Sequence, residues 1–424
     1  IGAIFTATHR NLEDDLDFLR KSALSGGIDF RHSWKDRNYY VEGNAVMSHV
    51  TGSEEAILNT QTSLTHLFQR VDADHIDVDG TRTSLTGTGG KVEFGKEGGG
   101  NWRYEGGVFW YSPELELNDV GFLRQADNIS QYANLGYLFQ KPTNFYRTVR
   151  LFVSQNTAYD FEGNHNRTEY EFEGFINYKN NWWTELELGH IPRIYSNTNL
   201  RGGPRWRDLE ENYVALFVGT DRRKKFNATF GYVDAQGKQN ATAFKRYVFR
   251  FQYQPFDAFS ISMNNSFEDE YSRTQYIETI DFNGAPRYVL GEIDQNTLSS
   301  SIRLNYNVNP NLSIQYYGQP FVSRGRYSNF NFVNNPTAED FNERVSLYNN
   351  NQISNSNETY FVDENEDSVT DYQFRDPDFS FVQFRSNLVV RWEYIPGSEI
   401  FFVWSQGVTG SGDPSETLGD NLNK

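Results

Sequence analysis

Along most of this chain, apolar and polar residues alternate one by one, and residues 379–404 show it most plainly. Val382, Phe384, Leu388, Val390, Trp392 and Tyr394 fall on one parity, while Gln383, Arg385, Asn387, Arg391 and Glu393 fall on the other. A period of two is the signature of a β-strand whose two faces meet different surroundings. Pro396-Gly397 then makes a tight turn, and Ile400, Phe402 and Trp404 begin a return arm. An apolar face ending in Trp and Tyr, opposite a face carrying Arg and Glu, suits a membrane strand beside a wet interior.

The pattern repeats. Tyr170, Phe172 and Ile176 oppose Glu171, Glu173 and Asn177; Tyr247, Phe249, Phe251 and Tyr253 oppose Arg250, Gln252 and Gln254. Ile302, Leu304, Tyr306 and Val308 oppose Arg303, Asn305 and Asn307. Seventeen such segments can be marked, joined by connections that alternate between short and long. The long ones are 50–81, 112–127 and 323–378, and 268–285 forms another loop. Short turns on one side and long loops on the other are the pattern of outer-membrane barrels. The expected fold is all-β: a transmembrane antiparallel β-barrel of 16–18 strands in one domain, residues 1–424, with long extracellular loops carrying short helices. An odd count and a polar tail at 407–424 suggest one further strand after Lys424, giving 18. Because Ile1 opens inside a strand, the chain reads as the later part of a longer processed protein.

Composition supports this picture. Mean hydropathy is −0.69 and hydrophobic content only 37%, yet aromatics reach 16%. No apolar run approaches the roughly 18 residues that a spanning helix needs, so strands are the remaining way through a bilayer. The net charge of −17 and short basic runs (Arg222-Arg223-Lys224-Lys225 is the longest) argue against nucleic acid as a partner. With no cysteine there is no disulfide, thiolate metal site or thiol nucleophile. The seven histidines form no His-x-x-x-His or Ser/His arrangement, and no enzyme is expected.

Five segments carry a resemblance: FRHSWKDRNYYVEGN (30–44), TGSEEAI (51–57), QRVDADHIDVDGTRTSLTGTGGK (69–91), WYSPELELNDVGFLRQADN (110–128) and FVQFRSNLVVRWEYIPGSEIFFVWSQ (381–406). Asn118-Asp119 and residues 122–127 are the most distinctive. The chain resembles a family of Bacteroidota outer-membrane barrels of unassigned function, whose longer members carry a family-nine carbohydrate-binding-like domain in front. The resemblance implies a barrel, a front domain outside this chain and no catalytic residues.

The polar parity supplies the candidate interior: Glu171, Glu173, Arg250, Arg303, Arg385, Arg391 and Glu393. Asp363, Asn365, Asp367 and Asp371 stand at positions 1, 3, 5 and 9 of an EF-hand-like loop, and calcium is the cation such oxygen spacing suits. Ser368 replaces the usual Gly and Phe374 the bidentate Glu. A second acidic run, Asp72, Asp74, His75, Asp77 and Asp79, reads as a loop salt-bridged to nearby Arg. Residues 54–70 and 337–348 have helical spacing, and each would fold over the barrel mouth or into it. Tyr39-Tyr40, Trp110-Tyr111, Trp182-Trp183 and Trp392/Tyr394 are placed for interface girdles.

Two functions fit. One is an outer-membrane anchor or scaffold with an occluded lumen, embedded in outer-membrane lipid, its loops engaging other surface proteins or glycans. The other is a porin-like channel for small solutes, with a cation preference expected from the acidic balance.

Overall fold

A computed structural model describes residues 1–119 and 121–422, with the side chains of Asp14 and Arg193 left aside. The strands run in chain order β1 (Gly2–His9), β2 (Ser22–Trp34), β3 (Tyr39–Thr51), β4 (Ser84–Lys96), β5 (Trp102–Tyr111), β6 (Asn128–Phe139), β7 (Tyr146–Tyr159) and β8 (His165–Tyr178). Then come β9 (Trp183–Ser196), β10 (Trp206–Asp208), β11 (Glu211–Gly219), β12 (Phe226–Gly237), β13 (Thr242–Phe256), β14 (Phe259–Phe282), β15 (Ala285–Asn309) and β16 (Leu312–Val333). The short β17 (Val345–Leu347), β18 (Ile353–Ser356), β19 (Thr359–Val362) and β20 (Tyr372–Arg375) precede the hairpin of β21 (Phe379–Ile395) and β22 (Ser398–Ser411). Helices are few and short: α1 (Glu54–Gln61), α2 (Phe341–Arg344) and α3 (Leu418–Leu422).

Apart from β10 and the four strands β17–β20, the strands form one antiparallel meander in which each pairs with its predecessor. The expected strand rhythm is therefore present, with seventeen long strands in sequence order. Among the described residues β1 pairs only with β2, and β22 only with β21, so the sheet is not closed.

Four features differ from the sequence reading. Residues 268–285 are not a loop: β14 and β15 continue through them to a turn at Asn283-Gly284, where both residues take positive φ (55° and 78°). Their pattern is not apolar against polar, because this part of the hairpin stands beyond the two-faced region and has other partners. Likewise β16 runs on to Val333, and the rest of 323–378 builds a small three-stranded sheet, β18–β20, with its own core of Val289, Phe330, Tyr348, Val362, Tyr372 and Phe374. The helical spacing of 54–70 and 337–348 yields only α1 and the single turn of α2. In α1 Ser53 caps the first turn by accepting from Ala56 N, and the chain leaves the helix at Thr62. The tail is also partly strand, since β22 extends to Ser411 before α3 folds back.

Following the register from strand to strand assigns every position to one of two faces. One face carries Ile28, Phe30, Phe94, Val108, Leu135, Val153, Leu188, Leu216, Phe230, Tyr247, Phe402 and Trp404, all exposed. Phe230 is 60% exposed and Trp404 62%. A sheet in water buries that face. Here it is the naked one, and the polar face is the one that other parts of the chain cover.

Aromatic rings gather on the apolar face next to the short turns. Trp34 stacks on Tyr39, Trp102 meets Tyr137 edge-on, and Phe256, Phe259, Tyr306, Trp392 and Tyr394 continue the band. Tyr40, Tyr111 and Trp183, expected there with their neighbours, point to the opposite face. Adjacent residues of a strand cannot share a side.

Candidate functional site: the polar face and its loop layer

All seven residues singled out on the polar parity lie on one continuous face. Glu173 sits opposite Glu187, which is linked through Ala215 and Val233 to Arg246, on the side of β13 that also bears Arg250. Arg303 faces Tyr317, Tyr317 faces Asn387, and Arg385, Arg391 and Glu393 share the Asn387 side of β21. Glu171 accepts from Tyr213 Oη at 2.5 Å, and Arg391 pairs with Glu399 and, at 3.7 Å, with Glu393. Arg250, Arg303 and Arg385 are exposed and form no ion pair among the described residues.

Over β2–β6 the same face carries a network that single-residue inspection of the sequence misses. Tyr40 Oη donates to Glu93 at 2.6 Å and reaches Glu105 at 3.2 Å; Tyr132 Oη also donates to Glu93. Lys91 bridges Glu93 (2.7 Å) and Glu42 (3.3 Å), and Arg31 bridges Glu42 and Glu97, both at 2.7 Å. The available signal was parity: these residues all occupy the polar positions of their strands.

Above this network the two long connections 52–83 and 112–127 fold down onto the polar face. Ala23, Val50 and Leu85, at the long-loop ends of β2–β4, join Ile57, Phe68, Ala73 and Ile76 in one core. Leu115, Leu123 and Ala126 form a second, against Val46 and Tyr111. Gly87 and Gly89 make room for it: a Cβ on Gly87 would fall 2.1 Å from Leu115 N, and one on Gly89 2.8 Å from Leu115 Cδ2. The 54–70 segment, expected to fold over the mouth or into it, thus lies on the polar face, and 112–127 joins it there, because each carries apolar residues that need a surface.

The distinctive motif residues meet in this layer. Asp119 binds Arg20 Nε at 2.6 Å and Arg10 at 2.7 Å, tying 112–127 to the β1–β2 connection. Asn118 brackets Leu123, accepting from its N at 2.7 Å and donating to its O at 3.1 Å. Glu116 faces His66 (3.1 Å) and Arg20 (3.4 Å) and accepts from Asn118 N. Burial alone would raise the Glu116 carboxyl, but His66, the Asn118 N–H and Arg20 outweigh it and hold it below the usual carboxylate range. Asp127 accepts from His75 Nε2 and the Phe161 N–H and lies 3.5 Å from buried Arg70.

The acidic run is part of the same lock. Asp72 accepts from Arg205 N, and Asp79 accepts from the Thr81 hydroxyl and N–H, which lower its carboxyl. Arg82, expected to pair within the run, binds Glu114 instead at 2.9 Å. The folded chain brings 112–127 alongside Arg82, and no local spacing could reveal that.

The EF-hand-like loop is closed on its own backbone. Asp363 accepts from the N–H groups of Asp367 and Ser368, Asn365 from Asp367 N, Asp367 from Val369 N, and Asp371 from Glu364 N. No group of three His, Cys, Asp or Glu among the described residues is arranged to hold a metal ion.

At the long-loop end, a cavity of about 340 Å³ is lined by Trp206, Asp208, Glu211, Tyr276, Phe341 and Arg344, among others. Arg344 is fully buried and donates to the carbonyls of Ala338, Arg207 and Glu339. Burial pushes the Asp208 carboxyl up to about 6, against the Trp206 Nε1–H (2.8 Å) and the Arg344 charge, which pull it down.

No curated protein matches this sequence. Among solved structures, the siderophore receptor PirA from Acinetobacter baumannii is similar at 8% identity over 92% of this chain and 75% of its own, with a TM-score of 0.35. The ferric enterobactin receptor PfeA, solved in complex with BCV-L6, is similar at 6% identity over 93% of this chain and 75% of its own, also at 0.35. One family model matches residues 19–424, nearly the whole length, and by it the chain belongs to DUF5916, a domain of unknown function.

Proposed function

We propose that this chain is an outer-membrane β-barrel protein whose interior is filled at one end by its own loops, and that it serves as a surface anchor or scaffold. The observation that carries this reading is the inversion of the sheet: its apolar face is exposed, and over β2–β5 its polar face is covered. Lipid tolerates exposed Phe, Leu and Val as water does not, and closure of the sheet would leave no unpaired edge within it. The aromatic band beside the short turns matches the place of an interface girdle. Ion pairs buried under the loop layer favour a plug that stays, since releasing it would expose Ala23, Val50, Ile57 and Leu85 and break the Asp119 pairs.

A second reading, a passage for small solutes, keeps one observation on its side: Arg250, Arg303 and Arg385 form no ion pair among the described residues. That stretch of wall is basic, so the preference it would impose is for anions, against the cation preference suggested by the net charge. Unheated against boiled migration in detergent gels tests the barrel, and planar-bilayer conductance of the folded protein separates the two readings. Silence supports the plugged scaffold, steady steps the channel. Migration unchanged by boiling, together with recovery in the soluble fraction, would remove both.

A further inference from the structure

The longest basic run, Arg222-Arg223-Lys224-Lys225, forms the short turn between β11 and β12 and takes no part in the loop layer. Beside it the polar face opens into a recess of about 430 Å³, lined by Arg150, Phe175, Asn177, Trp183, Glu185, Asp221, Arg222 and Arg223. Four of these side chains form a single stack. The Arg150 guanidinium lies 4.4 Å from the Phe175 ring centre, and Phe175 stacks on Trp183 at 6.0 Å and 20°. Arg222 caps the other end, 4.9 Å from the Trp183 ring.

The polar groups of the stack are unspent. Neither Arg150 nor Arg222 makes an ion pair or hydrogen bond with another described residue, and the Nε1–H of Trp183, 7% exposed, has no acceptor. Arg223, by contrast, is neutralised by Asp221 through two contacts at 2.9 and 2.7 Å. The two guanidiniums without an ion pair then stand beside two carboxylates, Glu185 in the lining and Glu173, which interacts with Arg150. The wall beyond stays basic: Trp183 faces Gly219, Gly219 faces Thr229, and Thr229 faces Arg250. At about 4.8 Å per strand, Arg250 is three strands away, roughly 14 Å.

We propose that this recess, at the short-turn mouth of the polar face, binds an oxyanion group, a phosphate or carboxylate borne by a small solute. Stacking fixes each guanidinium plane while leaving its N–H edge free, the geometry in which arginine grips such groups by paired hydrogen bonds. The indole Nε1 lies over Gly219, so the ring serves as the stacking platform and the two guanidiniums are the donors. The site depends neither on closure of the sheet nor on the loop layer.

The test follows the indole resonance of Trp183 in folded protein labelled with 15N-tryptophan, assigned by its loss in Trp183→Phe. Sodium phosphate and sodium acetate are titrated against sodium chloride at matched ionic strength. Phosphate should move the resonance saturably and chloride should not, with at least tenfold weaker binding in Arg222→Ser, a change on an exposed turn. Acetate matching phosphate would assign the recess to oxyanions in general; acetate without effect would assign it to phosphates. No saturation by ~50 mM phosphate, an equal response to chloride, or an unaltered response in Arg222→Ser overturns the proposal.

Discussion

Arg20 Nε lies 2.6 Å from Asp119 Oδ2 across 99 residues of chain, and Arg10 reaches the other oxygen of the same carboxylate at 2.7 Å. Asp119 is almost wholly shielded from solvent, so replacing it would take the carboxylate from Arg10 and leave Arg20 with Glu116 alone, at 3.4 Å. Asp119→Ala should loosen 112–127 by about 3 kcal/mol. Amide hydrogen exchange should rise in that connection and in α1, while the strand hairpins keep their protection. Uniform protection in the variant would show that the pairs hold nothing in place.

Gly87 is where wall and loop touch most closely. Gly87→Ala puts a Cβ 2.1 Å from Leu115 N, and backbone cannot yield as a side chain can. The expected result is displacement of 112–127 and faster proteolysis there, with the heat-shifted migration of the folded sheet retained. Gly407→Ala, where nothing lies within 4 Å, should be silent and serves as the control.

The apolar face offers the sharpest test of the membrane reading. In water, exchanging a 60%-exposed Phe230 for Arg would be nearly neutral or helpful. In a bilayer Phe230→Arg should cost about 2–4 kcal/mol, measured by denaturant unfolding in lipid vesicles. Thr229→Arg, one residue along on the polar face, should cost much less. Equal costs at the two positions would count against a lipid-facing sheet.

Asp208 should make the long-loop end sensitive to pH. Its folded pKa, about 6, lies above the ordinary carboxylate value of 3.8, so the folded state favours the protonated form. Its contribution is therefore fully present below about pH 4 and is lost as pH rises through 6. The difference is of the order of 2–3 kcal/mol at most. Protection factors of the β10 and α2 amides, with intrinsic exchange divided out, should fall between pH 5 and pH 7, and Asp208→Asn should flatten that dependence. A flat profile in the unaltered protein would contradict the shift.

At Asp363 the carboxylate is engaged by two backbone N–H groups. Asp363→Ala should cost the β19–β20 connection about 1–2 kcal/mol, and added calcium should leave its melting unchanged. A calcium-dependent rise in melting temperature, absent from the Asp363→Ala variant, would instead restore the cation reading of this loop.

The sequence by itself determined the strands and their faces. Alternation is local: a residue's parity depends only on its neighbours along the chain. Glu171, Arg250 and Arg385 could therefore be assigned to one face from strands far apart in sequence. Alternation failed where both sides of a strand meet similar surroundings, as in the upper parts of β14 and β15. Alternation also divides pairs such as Tyr39-Tyr40, so only one member of each could belong to a girdle. Tertiary structure alone decided the rest. That Asp119 answers Arg10 and Arg20, that Arg82 chooses Glu114, and that Leu115 settles over Gly87 all depend on where long connections come to rest. Those contacts join residues tens of positions apart through burial and charge, for which spacing along the chain carries no record. The stack of Arg150, Phe175, Trp183 and Arg222 is of the same kind. Its four members come from three strands and a turn, and only the register of the sheet sets them ring against ring.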